Sequence, residues 1–334
     1  MSTVESPNAT LASTPEPGDG AFTRARYIRP ALLVAAVIIC VIVLGATNEA
    51  FLTTTNGLAI LRAAALTGIV ALGATFITVS GRFFSLALGQ TAVFCGVSFA
   101  LLLGWGLPFP LALLATLVIA LSIGAVQGSL VAVGANPIVT TLGAGALLAG
   151  LAGLATDGKN IRIDSPAVEW IGNARPLGVP TQTWAFIALI VVAWLVMSKT
   201  RFGRETVLTG ANRSTATSSG ISVWRVTITV FVVASIAAGL VGVFGAAQFS
   251  QARISEFAGL DFDVVAAVLI GGTAIQGGQG SPLRTALGAV FIATVQNYML
   301  LLGWSSGIRT SVMGLFILIV VVSFHLLRRR TGVK

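Results

Sequence analysis

Few residues in this 334-residue chain are equipped for bond-making chemistry, and their placement argues against it. The single histidine, His325, stands just before Arg328-Arg329-Arg330, where a boundary position accounts for it better than catalysis does. Cys40 and Cys95 lie in different apolar runs with no partner at metal-ligand spacing, and read as small core hydrophobes. No phosphate-binding glycine motif ending in Lys-Ser/Thr occurs, and the glycines at 277–280 lack the βαβ surroundings of a dinucleotide fingerprint. An enzyme is not expected, nor is a metal or cofactor. Any ATP hydrolysis that drives this protein belongs to another chain.

Binding chemistry is better represented. Residues 199–224 carry Thr200-Arg201-Phe202-Gly203-Arg204-Glu205, then Gly210-Ala211-Asn212-Arg213, then Ser218-Ser219-Gly220-Ile221. Glycines 203, 210 and 220 punctuate pieces short enough for one- or two-turn helices along a membrane surface. Small residues permit close approach, while Arg201, Arg204, Glu205 and Arg213 offer directional contacts. A solvated basic loop would look similar; the functional reading is a docking surface for a cytoplasmic partner. Elsewhere Thr75, Thr78, Ser85, Gln90, Gln127, Thr140, Thr141 and Asn297 could hydrogen-bond a polar solute, though helix packing uses the same residue types.

The elements that must position these groups are set by composition. Apolar residues make up 55% of the chain and charged residues 9%, against about a quarter in soluble domains. Between Arg82 and Asp157 there is no charge at all, enough for three crossings of a ~30 Å hydrocarbon layer at ~20 residues each. The expected fold is an all-α polytopic membrane protein. Its ten spans fall at about 31–48, 60–80, 84–104, 109–133, 137–155, 182–198, 224–247, 263–282, 284–302 and 307–327. Residues 1–28 read as a disordered tail, 29–328 as the transmembrane domain with 199–224 as its coupling loop, and 329–334 as a basic tail. The first span follows Arg24, Arg26 and Arg29 and is expected to be retained rather than cleaved.

Basic residues favour the cytoplasmic side. With both termini there, only Arg62, Lys159, Arg162, Arg175, Arg253 and Arg309 of the 20 basic residues fall outside. The +9 net charge is distributed by topology, not as a basic patch interleaved with aromatics, so nucleic acid is not an expected partner. The eighth span is the weakest, because Val264–Ile270 runs into Gly271-Gly272-Thr273 and Gly277-Gly278-Gln279-Gly280; a broken or re-entrant element is expected. Every acidic residue reads as lying in a loop or at a span edge, with Asp263 near the outer interface. That weighs against an ion-coupled carrier, the main alternative function.

Three motifs resemble the ribose-type (branched-chain amino acid/ribose) permease family of ABC transporters. Asn136-Pro137-Ile138-Val139-Thr140-Thr141-Leu142-Gly143 is similar to that family's N-P-F-I-V-T-L-G. The loop at 199–224 matches its T-x-F-G-R … G-x-N … S-G-I pattern. Asp263 to Thr273, followed by Gly277-Gly278-Gln279-Gly280-Ser281 and Asn297, is the third. The resemblance covers about 40–325 and implies a permease subunit of an ATP-driven importer in the inner membrane, moving a monosaccharide, with amino acids or nucleosides as alternatives. It implies cytoplasmic ATPase subunits, an extracytoplasmic solute-binding protein and a second permease subunit as partners. It makes Gly203, Arg204, Glu205, Gly210, Asn212 and Gly220 candidates for contact with the ATPase. Ser85, Gln90, Thr140, Thr141 and Asn297 are the candidates for the solute pathway. One departure stands out: the family's G-x-D-L-S-x-G has Ser85 in place of its acidic residue.

Overall fold

A chain this apolar offers its backbone few side-chain partners, so N–H and C=O groups are satisfied internally as helix. The computed structural model describes residues 34–35, 38–47 and 49–331. The tail expected at 1–28 and the end of the basic tail, 332–334, lie outside them. The helices are α1 (Ile38–Thr47), α2 (Thr54–Val79), α3 (Leu88–Gly104), α4 (Phe109–Ala132), α5 (Pro137–Thr156), α6 (Pro166–Asn173) and α7 (Thr181–Lys199). They continue as α8 (Arg201–Ala211), α9 (Arg213–Ser218), α10 (Val223–Gln248), α11 (Leu260–Ile270), α12 (Pro282–Leu301) and α13 (Ser306–Thr331). Among the described residues the strands are one antiparallel pair, β1 (Ile161–Arg162) with β2 (Gln251–Ala252).

Local chemistry sets many helix ends. Asn136 Oδ1 accepts the Ile138 N–H at 3.0 Å and caps α5, while Pro137 fills the first position, where no N–H is needed. Thr53 caps α2 through Asn56 N–H. Gly106, at φ +85, makes the turn from α3 to α4.

Five helices, α2, α4, α5, α7 and α10, are long and apolar enough to cross a membrane. α2 and α10 form the centre, with 72% and 61% of their apolar stretches buried, against 22% for α4, α5 and α7. The outer three expose Leu114, Val118, Leu142, Leu147, Val191 and Val192, an apolar belt that calls for lipid rather than water. Packing at the centre relies on small residues. A Cβ at Gly124 would come within 2.7 Å of Phe231 O, and one at Gly128 within 2.8 Å of Ile228 Cα, so α4 and α10 touch backbone to backbone.

Two of the expected spans are interrupted in the same way. After α2, residues 80–87 are not helical, so the third span begins at Leu88 and not at 84. After α10, residues 249–259 are not helical and α11 has only 11 residues, a rise of ~16 Å. The span expected at 263–282 is thus a half-helix followed by irregular chain at 271–281. Residues 84–87 run beside α5: Leu86 N–H donates to Thr141 Oγ1 at 3.2 Å, and Gly145 packs on Leu86 and Ala87. The two interruptions meet where Gly89 N–H donates to Asp261 Oδ1 at 2.9 Å.

Candidate functional site

At one end of the bundle, residues 199–224 fold as two short helices. Thr200 Oγ1 accepts the Gly203 N–H at 3.1 Å and starts α8. Asn212 ends α8 and caps α9, its Oδ1 accepting from Thr215 N–H at 3.1 Å and Ser214 Oγ at 2.8 Å. The division therefore comes at Asn212. Gly203 and Gly210, expected to punctuate the segment, lie inside α8. On its exposed side are Arg201, Arg204 and Leu208; Arg201 Nε pairs with Glu205 Oε1 at 2.7 Å. Asn212 is exposed, as is Gly220, which takes φ +78 with nothing within 4 Å of a Cβ built there.

The two α8 glycines face the chain's own backbone. A Cβ at Gly203 would stand 2.3 Å from Val196 O, and one at Gly210 only 1.9 Å from Val79 O and 2.6 Å from Gly278 N. Both glycines are thus seated against the chain's own backbone. Around Gly210 three elements converge without side chains between them. Gly81 (φ +78) closes α2, and Gly277 (φ +91) would place a Cβ 2.6 Å from Gly81 Cα and 3.1 Å from Gly210 Cα. The Gly278 N–H donates to Val79 O at 2.8 Å. The end of α2, helix α8 and the connection between α11 and α12 form one glycine joint.

The candidate pathway residues are only partly gathered. Ser85, Gln90 and Thr141 lie around the start of α3: Ser85 Oγ accepts from Ala87 N–H at 3.4 Å, and Gln90 Oε1 is buried without a partner. Thr140 neighbours Thr141 on α5. Asn297 stands apart on α12, which packs mainly on α2 and α11; its Oδ1 is also buried without a partner.

Sequence reasoning missed a charged cluster toward the opposite end. Asp263, expected near an interface, is half-buried in the first turn of α11 and accepts from Gln296 Nε2 of α12 at 2.8 Å. Arg62 of α2 and Arg309 of α13 line the same cavity. Each is read in sequence as an isolated charge near a span end; only the short α11 brings them together.

The family model described as branched-chain amino acid transport system / permease component matches residues 56–322. The chain belongs to this permease family. The ribose import permease protein RbsC of Escherichia coli K12 is 30% identical over 306 residues, covering 90% of this permease and 95% of that protein. The Escherichia coli K12 protein named Probable ABC transporter permease protein YphD is 33% identical, covering 92% of each chain. The autoinducer 2 import system permease protein LsrD of Salmonella paratyphi B is 32% identical, covering 76% of this permease and 79% of its own length. No solved structure matches the chain.

Ala87 stands at the N-cap of α3 and has no side chain to cap with; Asp261, reaching over from α11, accepts the Gly89 N–H instead.

Proposed function

We propose that this multi-pass membrane protein is the permease subunit of an ATP-driven ABC importer that carries a monosaccharide across the inner membrane. The observation that carries the reading is similarity along nine-tenths or more of both chains to permeases named for ribose import and for an ABC transporter. In this reading α1, α3, α11, α12 and α13 join the five long helices to make ten crossings, with both termini cytoplasmic. The α8 end then faces the cytoplasm, where basic residues are retained. Hydrolysis occurs on separate ATPase subunits, a soluble binding protein delivers the solute, and a second permease subunit completes the pathway.

The exposed side of α8–α9 meets the ATPase through Arg204, Glu205, Asn212 and Gly220. Gly203 and Gly210 act behind that surface by seating α8 on the bundle. Because α8 shares a joint with the end of α2 and with 271–281, closure of the ATPases displaces α2, α11 and α12 as well as the flanking α7 and α10. Backbone-to-backbone contact transmits a small displacement with little loss, and packed interfaces respond by switching between discrete arrangements. The solute passes the polar groups at the start of α3, Ser85, Gln90, Thr140 and Thr141, with Asn297 farther along.

Replacing 203–212 by a Gly/Ser linker tests this reading. Membrane insertion is expected to persist while uptake and copurification with the ATPase are lost; uptake at the parental rate would refute it.

A further inference from the structure

Ionisable side chains inside a membrane bundle are costly to place and mark function more often than architecture. Here four of them converge from four elements: Arg62 from α2, Glu256 from the 249–259 connection, Asp263 from α11 and Arg309 from α13. They line a cavity of about 470 Å³, and Glu256, Asp263 and Arg309 also line an adjoining one of about 270 Å³ with Gln296. Cavities of this order hold small molecules. The two arginines are not paired within the cluster: among the described residues no ion pair joins Arg62 or Arg309 to a carboxylate, while Glu256 makes a long pair with Arg253 at 4.0 Å. Arg62 Nε, Arg309 Nε and Glu256 Oε2 are all buried without a hydrogen-bond partner.

We infer that these cavities, beside the start of α11, form a binding site for a neutral polyhydroxy solute. This rests on the importer reading and adds to it the place where the permease itself holds its cargo. Guanidinium and carboxylate groups stand side by side around the wall, so a solute carrying a single charge meets repulsion as well as attraction there. A hydroxyl both donates and accepts, and a pair of neighbouring hydroxyls can accept from an arginine while donating to a carboxylate. Both cavities are walled by both signs. A zwitterionic amino acid instead needs its charges met at separate poles. Gln296, already held by Asp263, fixes the carboxylate and leaves its second oxygen for the solute.

The test uses the full transporter in liposomes, with its ATPase and binding protein. Radiolabelled D-ribose, D-glucose and L-leucine are offered separately, and copurification of the ATPase is measured alongside uptake. Asp263→Asn and Arg309→Gln are each expected to cut uptake of a sugar by about tenfold, the loss of one charge-assisted hydrogen bond, with copurification kept. Uptake within about twofold of the parent in both variants would overturn the site, as would leucine uptake without sugar uptake. Loss of copurification in the parent overturns the importer reading and not the site. If either variant fails to insert, Gln296→Ala and Arg62→Lys are read in the same assay, with the same tenfold and twofold limits.

Discussion

The carboxylate of Asp261 accepts the backbone N–H of Gly89 at 2.9 Å, tying the first turn of α11 to the first turn of α3 across 172 residues of sequence. Both helices begin within the bundle, and the first-turn N–H groups of such a helix have neither water nor a preceding turn to bond with. Asp261→Ala leaves one such donor unsatisfied and is expected to destabilise the fold by ~1–3 kcal/mol. Thermal unfolding of the purified permease in detergent checks this, and Asp261→Asn, which keeps an acceptor, should lose less.

Gly210→Ala separates two roles for glycine. If Gly210 were a loose point in α8, alanine would stabilise the helix by ~0.5–1 kcal/mol. The structure requires the opposite, because the added carbon would stand 1.9 Å from Val79 O. The expected outcome is lower thermal stability and uptake well below the parent, while Gly220→Ala, with open space around it, should cost only ~1 kcal/mol of left-handed strain.

Asn212 caps α9 and closes α8, so Asn212→Ala should fray the segment by ~1 kcal/mol and weaken copurification with the ATPase. Asn212→Asp preserves the cap and should keep most of the association. Equal losses in both variants would place the side chain's amide, and not its capping, at the contact.

Glu205→Ala removes an exposed i,i+4 pair with Arg201, worth ~0.3–0.5 kcal/mol. Expression and thermal stability should barely change. A marked loss of ATPase association in this variant would then report the partner surface directly.

Orientation is read by thiol labelling. A cysteine at Ser214 should react with a membrane-impermeant reagent only after the cells are opened, and one at Leu177, the most exposed large apolar residue of the 157–180 connection, in intact cells. Reversed labelling would invert the proposed topology.

Much of the helical framework is legible locally. Gly104-Trp105-Gly106-Leu107-Pro108 and Asn136-Pro137 mark breaks that turn and cap chemistry enforce, and the helices stop and start there. The break at 82–87 is not legible, because Phe83, Phe84, Leu86 and Ala87 are as apolar as any span. What holds it open is a bond to Thr141, 55 residues away. Gly203 and Gly210 mislead for a related reason: glycine's weak helix propensity signals a turn, whereas close approach to another backbone favours it inside a helix. The charged cavity is hidden because Arg62, Asp263 and Arg309 are far apart in sequence and ordinary at the ends of spans.

The shortness of α11 bears on how the protein is made. Eleven residues rise ~16 Å, too little to partition into lipid unaided, and the chain on both sides is non-helical with backbone groups that lipid would leave unpaired. During synthesis this segment must therefore wait at the translocon or the bilayer surface until α12 emerges and, with α2, provides a protein wall to lie against. In a chain truncated after Ile270, the α11 segment should fail to insert stably and be open to membrane proteases.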